Sequence, residues 1–285
     1  TITGWSRRAA DRNGSKRPNW CSCTRQEVTG IMLGIGQIAT RIAELIRAAM
    51  PFAIVSNGTN PDGSSRVMSM FERLIAWTDI TMASRAGKNL IIVRDGLYTK
   101  QVSIAEDYRL IIGTTNAIIY TNDTHIAWHQ TSTSTDVYVM GLQIKGVSGG
   151  SGGFRSVQCD GTMNIFFLTH FNTADTTAIL LNTSSSQNIF VGCQWYGTID
   201  GGWCLQSSCN MNKFLFNKCW AGGNHGFYIV SSDLNIVIGN SIQGGSASVQ
   251  IDSGGTYNVV VGNVMDVAVT NNGGATNQVS LNAVY

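Results

Sequence analysis

Charged residues are scarce in this chain of 285 residues, at 13% of the sequence against about 25% in an average soluble domain. Proline is scarcer still, with 3 residues in the whole chain. Disordered segments are rich in both, so this composition indicates an ordered chain. Lys and Arg together number 19 and Asp and Glu number 17, so there is no overall positive charge of the kind that nucleic-acid binding requires.

Neither a signal peptide nor a membrane span is expected. Residues 1–13 contain no apolar stretch of the kind that a secretory signal needs. The apolar run 31–55 carries Arg41, Glu44 and Arg47, and each of these charges is costly in lipid.

A disulfide framework is not expected either. The chain has 7 cysteines, an odd number, and their spacing does not repeat. Cys21 and Cys23 form a C-x-C pair, but no second pair follows to complete a zinc site. We therefore expect free thiols, no metal site and no cofactor.

A repeat of constant length is present instead. Five segments share an Asn followed by an apolar run, and their first Asn residues are Asn164, Asn188, Asn212, Asn235 and Asn258. The steps between them are 24, 24, 23 and 23 residues. A second Asn recurs five residues later in the last three segments, at positions 217, 240 and 263. Such a period is typical of a solenoid.

This period predicts a right-handed parallel β-helix from about residue 89 to 285. A rung of three short strands and tight turns stacks on the next rung at about 4.8 Å, so equivalent side chains lie above one another. Asn suits the turns because it tolerates left-handed backbone and because stacked amides can bond to each other.

Two apolar columns accompany the Asn columns. The first is expected to be core and contains Phe171, Trp195, Cys219, Ile242 and Met265. In the second, Lys213 interrupts Ile165, Ile189, Ile236 and Val259. There the pattern leaves two readings open, a locally rotated strand or a lysine that reaches out of the core.

Residues 67–85 have the 3.6-residue period of a helix, which would cap the solenoid. The segments Asn89–Tyr98 and Leu110–Gly113 then follow as the first strands. A capping helix before such strands resembles the entry into the pectin-lyase-like β-helix of phage tailspikes and polysaccharide-degrading enzymes. The resemblance covers about residues 65–285 and is specific for the fold, not for the reaction.

A heptad pattern precedes the solenoid. Its a and d positions are Val28, Ile31, Ile35, Ile38, Ile42, Leu45 and Ala49. Isoleucine at both positions favours three or four strands over two, so we expect a homotrimer joined along residues 28–49. The alternative is a single amphipathic helix packed on its own domain, because three glycines weaken its start.

These elements divide the chain into four parts. We expect a basic tail at 1–26, a trimerising neck at 27–50, a linker at 51–66 and the β-helix with its capping helix at 67–285. The tail contains Arg7, Arg8, Arg12, Lys16, Arg17 and Arg25. A basic tail, a trimeric neck and a β-helix together look like a phage tailspike, whose N-terminal region would contact other virion proteins.

Candidate catalytic residues lie on three successive rungs. Asp175, Asp200 and His225 are spaced by 25 residues, close to the rung length, which would place them near one line on the outer surface. Neighbouring rungs would hold the two carboxyls about 5–8 Å apart, a separation suited to glycoside hydrolysis. Tyr196, Trp203 and Trp220 lie on the same rungs and offer flat faces to sugar rings.

The order of these residues is similar to the N-T-D, D-D and G-H-G series of polygalacturonase-type hydrolases. That resemblance implies that Asp175 and Asp200 are the catalytic carboxyls and His225 is their neighbour. The match departs from the pattern at Ala174, Ile199 and Asn224, and no R-I-K follows. The alternative is that both Asp are solvated turn residues and His225 is a loop histidine.

Elimination on uronic acids is disfavoured, because it needs cations to neutralise the substrate carboxylate. After Arg155 the only basic residues are Lys213 and Lys218. The resemblance implies a virion tailspike or fibre that recognises a cell-surface polysaccharide, and it leaves open whether Asp175 and Asp200 hydrolyse that polysaccharide. The alternative is a structural or receptor-binding trimeric spike without catalysis.

Overall fold

The computed structural model describes residues 40–114, 116–120, 126–146, 155–173, 177–197, 201–221 and 223–285. The chain divides into two compact units, Thr1–Glu44 and Leu45–Tyr285. Of the first unit only residues 40–44 are described, and there Arg41 and Glu44 form an exposed ion pair of 2.8 Å. Most of the predicted neck and the whole basic tail thus lie outside the described residues.

Three parallel sheets form the second unit. Sheet 1 contains β1 (Phe52–Val55), β2 (Leu90–Val93), β5 (Arg109–Gly113), β8 (Val137–Met140), β11 (Ile165–Phe167), β14 (Ile189–Val191), β17 (Lys213–Leu215), β20 (Ile236–Ile238), β23 (Val259–Val261) and β26 (Gln278–Ser280). Sheet 2 contains β3 (Gly96–Tyr98), β6 (Ala117–Tyr120), β9 (Gln143–Lys145), β12 (His170–Thr173), β15 (Gln194–Gly197), β18 (Lys218–Ala221), β21 (Ser241–Gln243), β24 (Val264–Met265) and β27 (Ala283–Val284). Sheet 3 contains β4 (Val102–Ile104), β7 (Ile126–Gln130), β10 (Arg155–Cys159), β13 (Thr177–Leu181), β16 (Gly201–Leu205), β19 (His225–Ile229), β22 (Ala247–Ile251) and β25 (Thr270–Asn271).

From β2 onward the chain passes from sheet 1 to sheet 2, then to sheet 3, and back to sheet 1. Each strand therefore pairs in parallel with the strand three positions earlier in the chain, and the predicted parallel β-helix is confirmed. Each rung contributes one strand to each sheet, as β11, β12 and β13 do. Pairing in register places Phe166 beside Phe190 and Phe190 beside Phe214, one rung apart. Stacked rungs therefore share one continuous core.

The first Asn column is buried and continuously hydrogen-bonded. The side-chain amide of Asn164 donates to Oδ1 of Asn188 at 3.0 Å, and that of Asn188 donates to Oδ1 of Asn212 at 3.1 Å. The backbone N–H of Asn188 donates to the same oxygen of Asn212 at 2.9 Å. The column continues through Asn235 and Asn258 to Asn277, so the predicted stacking is confirmed.

The second Asn column behaves in the same way, but the left-handed turns are made by other residues. Asn217, Asn240 and Asn263 are bonded in series, and Asn263 donates to Asn282. Positive φ angles are found not at the Asn residues of the first column but one residue earlier, as at Met211 and Leu234. The role of Asn is thus to satisfy buried backbone N–H groups, and the turn residue before it takes the left-handed conformation.

We expect Asn212→Leu to lower the free energy of unfolding by at least about 2 kcal/mol, because leucine keeps the volume but removes the acceptor. The backbone N–H of Asn188 would be buried without its acceptor, and the bonds that the Asn212 amide donates to the carbonyl of Ser185 and to Oδ1 of Asn235 would be lost, at about 1–3 kcal/mol for each buried group left unpaired. Urea unfolding followed by circular dichroism measures this. Gln243→Leu, at an exposed position of sheet 2, should change the midpoint little. Equal midpoints for the two variants would contradict the stabilising role of the ladder.

The core lies inside the three sheets. The predicted apolar column is confirmed, because Phe171, Trp195, Cys219, Ile242 and Met265 are at most 1% exposed. The column that contains Lys213 is not core, however. Phe166, Phe190 and Phe214 point inward, and the residues beside them on β11, β14 and β17 point outward. Neither predicted explanation for Lys213 is needed, since its whole column lies on the outer face of sheet 1.

Two predicted boundaries differ from the structure. Residues 51–66 were predicted as a linker, but β1 lies there and pairs with β2 as the first strand of sheet 1. The helix predicted over 67–85 is two short helices, α2 (Met70–Ile75) and α3 (Ile80–Arg85), which follow the helical residues 40–49 (α1). Ala76 is extended and Asp79 caps the start of α3 by accepting from the N–H of Met82, so the helix breaks between them.

The solenoid end is nevertheless covered by a helix. Ile80 and Ala83 of α3 are buried in the same core as Val93 and Ile104. The chain before β1 is held to the same end, because Nζ of Lys88 donates to the carbonyl of Met50 at 2.6 Å. No helix in the described ranges is long and apolar enough to cross a membrane.

Candidate functional site

The candidate site lies where sheet 2 passes to sheet 3. Strand ends on three successive rungs stack there in register, with Thr173 beside Gly197 and Gly197 beside Ala221. The next strands begin in register too, since Thr177 pairs with Gly201 and Gly201 with His225. Asp175 and Asp200 fall between these strand ends in the chain but lie outside the described residues.

His225 is the described member of the predicted triad and begins β19. Its ring stacks on that of Tyr228, with centroids 5.1 Å apart and planes at 28°. Burial lowers the pKa of His225 below its usual value, although the nearby charge of Asp252 opposes this. Burial thus favours the neutral form of the imidazole. Its Nδ1 is buried and has no hydrogen-bond partner among the described residues.

A tyrosine and an aspartate that the sequence analysis missed lie beside His225. The hydroxyl of Tyr228 donates to Oδ2 of Asp252 at 2.6 Å, and Nε2 of Gln250 donates to Oδ1 at 3.1 Å. These bonds hold the pKa of Asp252 below its usual range. The bond that the Tyr228 hydroxyl donates to Asp252 raises the pKa of Tyr228 to about 12. Asp252 is thus a carboxylate held in place by two hydrogen bonds, and its negative charge acts on His225.

A similar arrangement lies on earlier rungs of sheet 3. Nε2 of His129 and Oδ2 of Asp160 are 2.7 Å apart, and Nε2 of Gln158 donates to both oxygens of Asp160. Burial would raise the pKa of Asp160, but these hydrogen bonds outweigh it and hold the pKa low. The sequence signal for both arrangements is a Gln-x-Asp triplet at the end of a strand, at 158–160 and 250–252.

The outer face of sheet 2 carries one continuous column of polar and aromatic side chains. In register from rung to rung these are Tyr120, Lys145, Asn172, Tyr196, Trp220 and Gln243. The rings of Tyr196 and Trp220 meet edge to face, with centroids 4.6 Å apart. Nζ of Lys218 lies 3.9 Å from the centroid of Trp220, a cation–π contact. The column is about 24 Å long at one strand spacing per rung.

Two of the three predicted aromatic residues are thus placed together. Tyr196 is 39% exposed and Trp220 is half-buried beside it, at the edge of sheet 2 that leads to His225. The third, Trp203, lies in β16, where its backbone pairs in register with that of Ile179 and Phe227.

The thiols of Cys159, Cys193 and Cys209 form no disulfide, as predicted, and are poorly placed to act as nucleophiles. Cys159, Cys193 and Cys209 are buried, and burial raises the pKa of each thiol, to about 11 for Cys159 and about 12 for the other two. A protonated, buried thiol is a poor nucleophile and a poor metal ligand. In the described part of the chain no three His, Cys, Asp or Glu side chains are grouped to hold a metal ion.

Comparison with known proteins identifies the architecture. No family model matches the sequence, and no curated protein matches it. The crystal structure of pectate lyase Pel9A superposes with a TM-score of 0.53 at 13% identity, over 78% of this chain and 64% of that one. This chain thus spans less than two thirds of Pel9A. Pectin methylesterase PemA from Erwinia chrysanthemi superposes with a TM-score of 0.51 at 12% identity, over 78% of this chain and 81% of that one.

The shared feature is the parallel β-helix. At 12–13% identity these superpositions show the fold and not the reaction. A protein of Geobacillus virus E2, ORF18, also matches over 91% of this chain, but its TM-score of 0.41 carries no argument.

Proposed function

We propose that this β-helix recognises a cell-surface polysaccharide along the outer face of sheet 2, as part of a virion tailspike or fibre. The observation that carries the proposal is the pair formed by the exposed Tyr196 and the half-buried Trp220, within a column about 24 Å long of amide, amine and aromatic side chains. Aromatic faces pack on the C–H faces of sugar rings, and amides bond to their hydroxyls. The superposed structures named as pectate lyase and pectin methylesterase are consistent with a carbohydrate as ligand.

The virion role and the trimer rest on the N-terminal region. In the described part of the heptad pattern, Ile42 is 49% exposed and Leu45 is 57% exposed, so the described residues leave these a and d positions largely uncovered. Burial of such residues between three copies is what the heptad pattern favours. The basic tail at 1–26 would then contact other virion proteins.

Hydrolysis of the bound polysaccharide is the finer proposal, with Asp175 and Asp200 as the acid and base. It is supported by His225, whose buried Nδ1 has no hydrogen-bond partner among the described residues. His225 begins its strand in register with Gly201 and Thr177, and Asp200 and Asp175 come just before those two residues in the chain. A neutral imidazole there can hold a carboxyl or a sugar hydroxyl in place. Release of reducing ends from a panel of capsular and lipopolysaccharide glycans tests it, and binding without release would favour the non-catalytic spike.

For the binding proposal, we expect Trp220→Ala to weaken affinity for the recognised polysaccharide by about 5- to 150-fold, since loss of a stacking ring costs about 1–3 kcal/mol. Trp220→Phe keeps a flat ring and should retain most of the affinity. Titration calorimetry on a glycan identified from the panel measures both. Equal affinity of Trp220→Ala and the unaltered chain would place the binding surface elsewhere.

A further inference from the structure

A hydroxyl, an imidazole and a carboxylate follow one another on successive rungs of sheet 3. Ser103 of β4 pairs in register with His129 of β7, and His129 pairs with Gln158 of β10. Asp160 lies two residues after Gln158, and its Oδ2 is 2.7 Å from Nε2 of His129. Ser103 and His129 both point outward, because the residues on either side of each are buried. The series therefore lies on the solvent side of the sheet.

The imidazole of His129 is held by a carboxylate that is itself fixed. Nε2 of Gln158 donates to both oxygens of Asp160, and Nη1 of Arg155 donates to Oε1 of Gln158 at 3.0 Å. Burial would raise the pKa of Asp160, but the bonds from His129 and Gln158 hold it below its usual range, so the carboxyl is ionised at neutral pH. A carboxylate only accepts hydrogen bonds. In the neutral imidazole, Nε2 therefore carries the proton and Nδ1 is an acceptor.

The hydroxyl of Ser103 and Nδ1 of His129 are both available. Neither forms a hydrogen bond with a described residue. Adjacent strands are about 4.8 Å apart, so two outward side chains in register can reach each other. Nδ1 is the ring nitrogen nearer the backbone, which suits a side chain as short as serine. A hydrogen bond between nucleophile and base often tightens only when substrate binds.

Ser103 lies at an edge of sheet 3 that leaves room for a substrate. Its strand, β4, is the first of the sheet in the described ranges, and α3 lies beside it. Oγ1 of Thr81 in α3 accepts from the N–H of Ser103 at 2.9 Å, which fixes the backbone there. A cavity of about 220 Å³ lies at this edge, lined by Ile80 of α3 and by Lys100 and Val102 just before Ser103. This volume is enough for a short acyl group.

Later rungs of sheet 3 repeat the arrangement without its reactive groups. In the same register the corresponding residues are Cys204, Tyr228, Gln250 and Asp252. Burial raises the pKa of the Cys204 thiol to about 11, and the hydrogen bond to Asp252 raises the pKa of Tyr228 to about 12. Neither group exchanges a proton readily near neutral pH. The later copy thus has the carboxylate but no base, whereas the earlier copy has both.

We propose that Ser103, His129 and Asp160 form an ester-hydrolysing site. Ser103 is the nucleophile and His129 the base, while Asp160 is a positioning residue that orients the imidazole. The expected substrate class is an acyl ester of a sugar hydroxyl. This choice of substrate rests on the polysaccharide of the proposed function, whereas the site itself does not depend on it.

The reaction needs water as its only co-reactant. Oγ of Ser103 attacks the carbonyl carbon of the ester, and its proton passes to Nδ1 of His129. The bond between the acyl carbon and the sugar oxygen breaks, and the imidazolium gives the proton to that oxygen. Water then attacks the acyl-serine and gives a proton to His129, which passes it to Oγ of Ser103 as the carboxylic acid leaves.

Labelling with a fluorophosphonate and hydrolysis of p-nitrophenyl acetate test the site in the full chain. The fluorophosphonate should modify Ser103, as located by peptide mass spectrometry, and Ser103→Ala should lower ester turnover at least about 100-fold. Asp160→Asn should lower kcat about 100- to 10,000-fold with KM unchanged, because the imidazole loses its orientation. Cys204→Ala, at the matched position of the later copy, should keep both labelling and turnover. Circular dichroism checks that all variants fold.

The opposite results overturn the inference in separate ways. Labelling elsewhere, or equal turnover of Ser103→Ala and the unaltered chain, would remove the site. Cleavage of p-nitrophenyl acetate without acetate release from O-acetylated members of the glycan panel would remove the sugar ester as substrate. If a glycan binds in a manner that depends on Trp220 while Ser103 stays unlabelled, the proposed function stands and this inference alone fails.

Discussion

Asp175→Asn and Asp200→Asn should each lower the turnover of polysaccharide hydrolysis by about 100- to 10,000-fold while binding survives. The amide keeps the shape of the carboxyl but cannot exchange a proton, and acid–base catalysis contributes a factor of this size. Reducing-end release measures turnover, and titration calorimetry measures binding. The effect on binding should be small, because the aromatic pair Tyr196–Trp220 is intact in both variants.

The control for this prediction is Asp62→Asn. Asp62 is a solvated turn aspartate whose carboxylate accepts bonds from the N–H and hydroxyl of Ser64. It therefore represents the alternative reading of Asp175 and Asp200 as simple turn residues, and its replacement should leave turnover unchanged. Unchanged turnover in all three variants would move catalysis to another site, such as the carboxylates of Asp160 or Asp252.

Phe190→Ala is expected to lower the free energy of unfolding by about 3–5 kcal/mol, the usual cost of removing a buried aromatic ring. Phe190 is fully buried and stacked between Phe166 and Phe214, with centroids 4.9 and 5.2 Å away. Its removal leaves a cavity within three consecutive rungs, which the stiff strands cannot close. Since domains are stable by about 5–15 kcal/mol, the loss is a large part of the total.

Urea unfolding by circular dichroism measures this change, and two variants calibrate it. Phe190→Leu refills most of the cavity and should cost less than half as much. Val264→Ala removes an exposed side chain and should stay within about 0.5 kcal/mol of the unaltered chain. A midpoint for Phe190→Ala equal to that of Val264→Ala would show that the phenylalanine stack does not hold the rungs together.

The direction of each strand was harder to predict than the repeat. The Asn spacing identified the rungs because a buried amide ladder requires one Asn per rung at a constant period. Both faces of sheet 1 are apolar, however, so alternation could not tell the outward Ile189 from the inward Phe190. The outward position of Lys213 followed only from the register.

At the candidate site, too, some contacts could be predicted from the sequence and others followed only from the structure. Tyr196 and Trp220 could be placed together from the sequence because they are one rung apart at equal positions. The contact of Tyr228 with Asp252 could not, because Tyr228 is in register with Gln250 and Asp252 lies two residues further along. The two meet only because a turn residue of one rung reaches a strand residue of the rung before.

The sequence by itself determined the period, the Asn ladders and the inner column from Phe171 to Met265, because stacking forces equivalent residues into the same environment on every rung. Only the tertiary structure decided which outer face is polar and which is apolar. It also decided that β1 belongs to sheet 1 and that α2 and α3 are separate helices. The physical reason is that these features depend on which strands are neighbours across the solenoid, and the period of one strand does not contain that information.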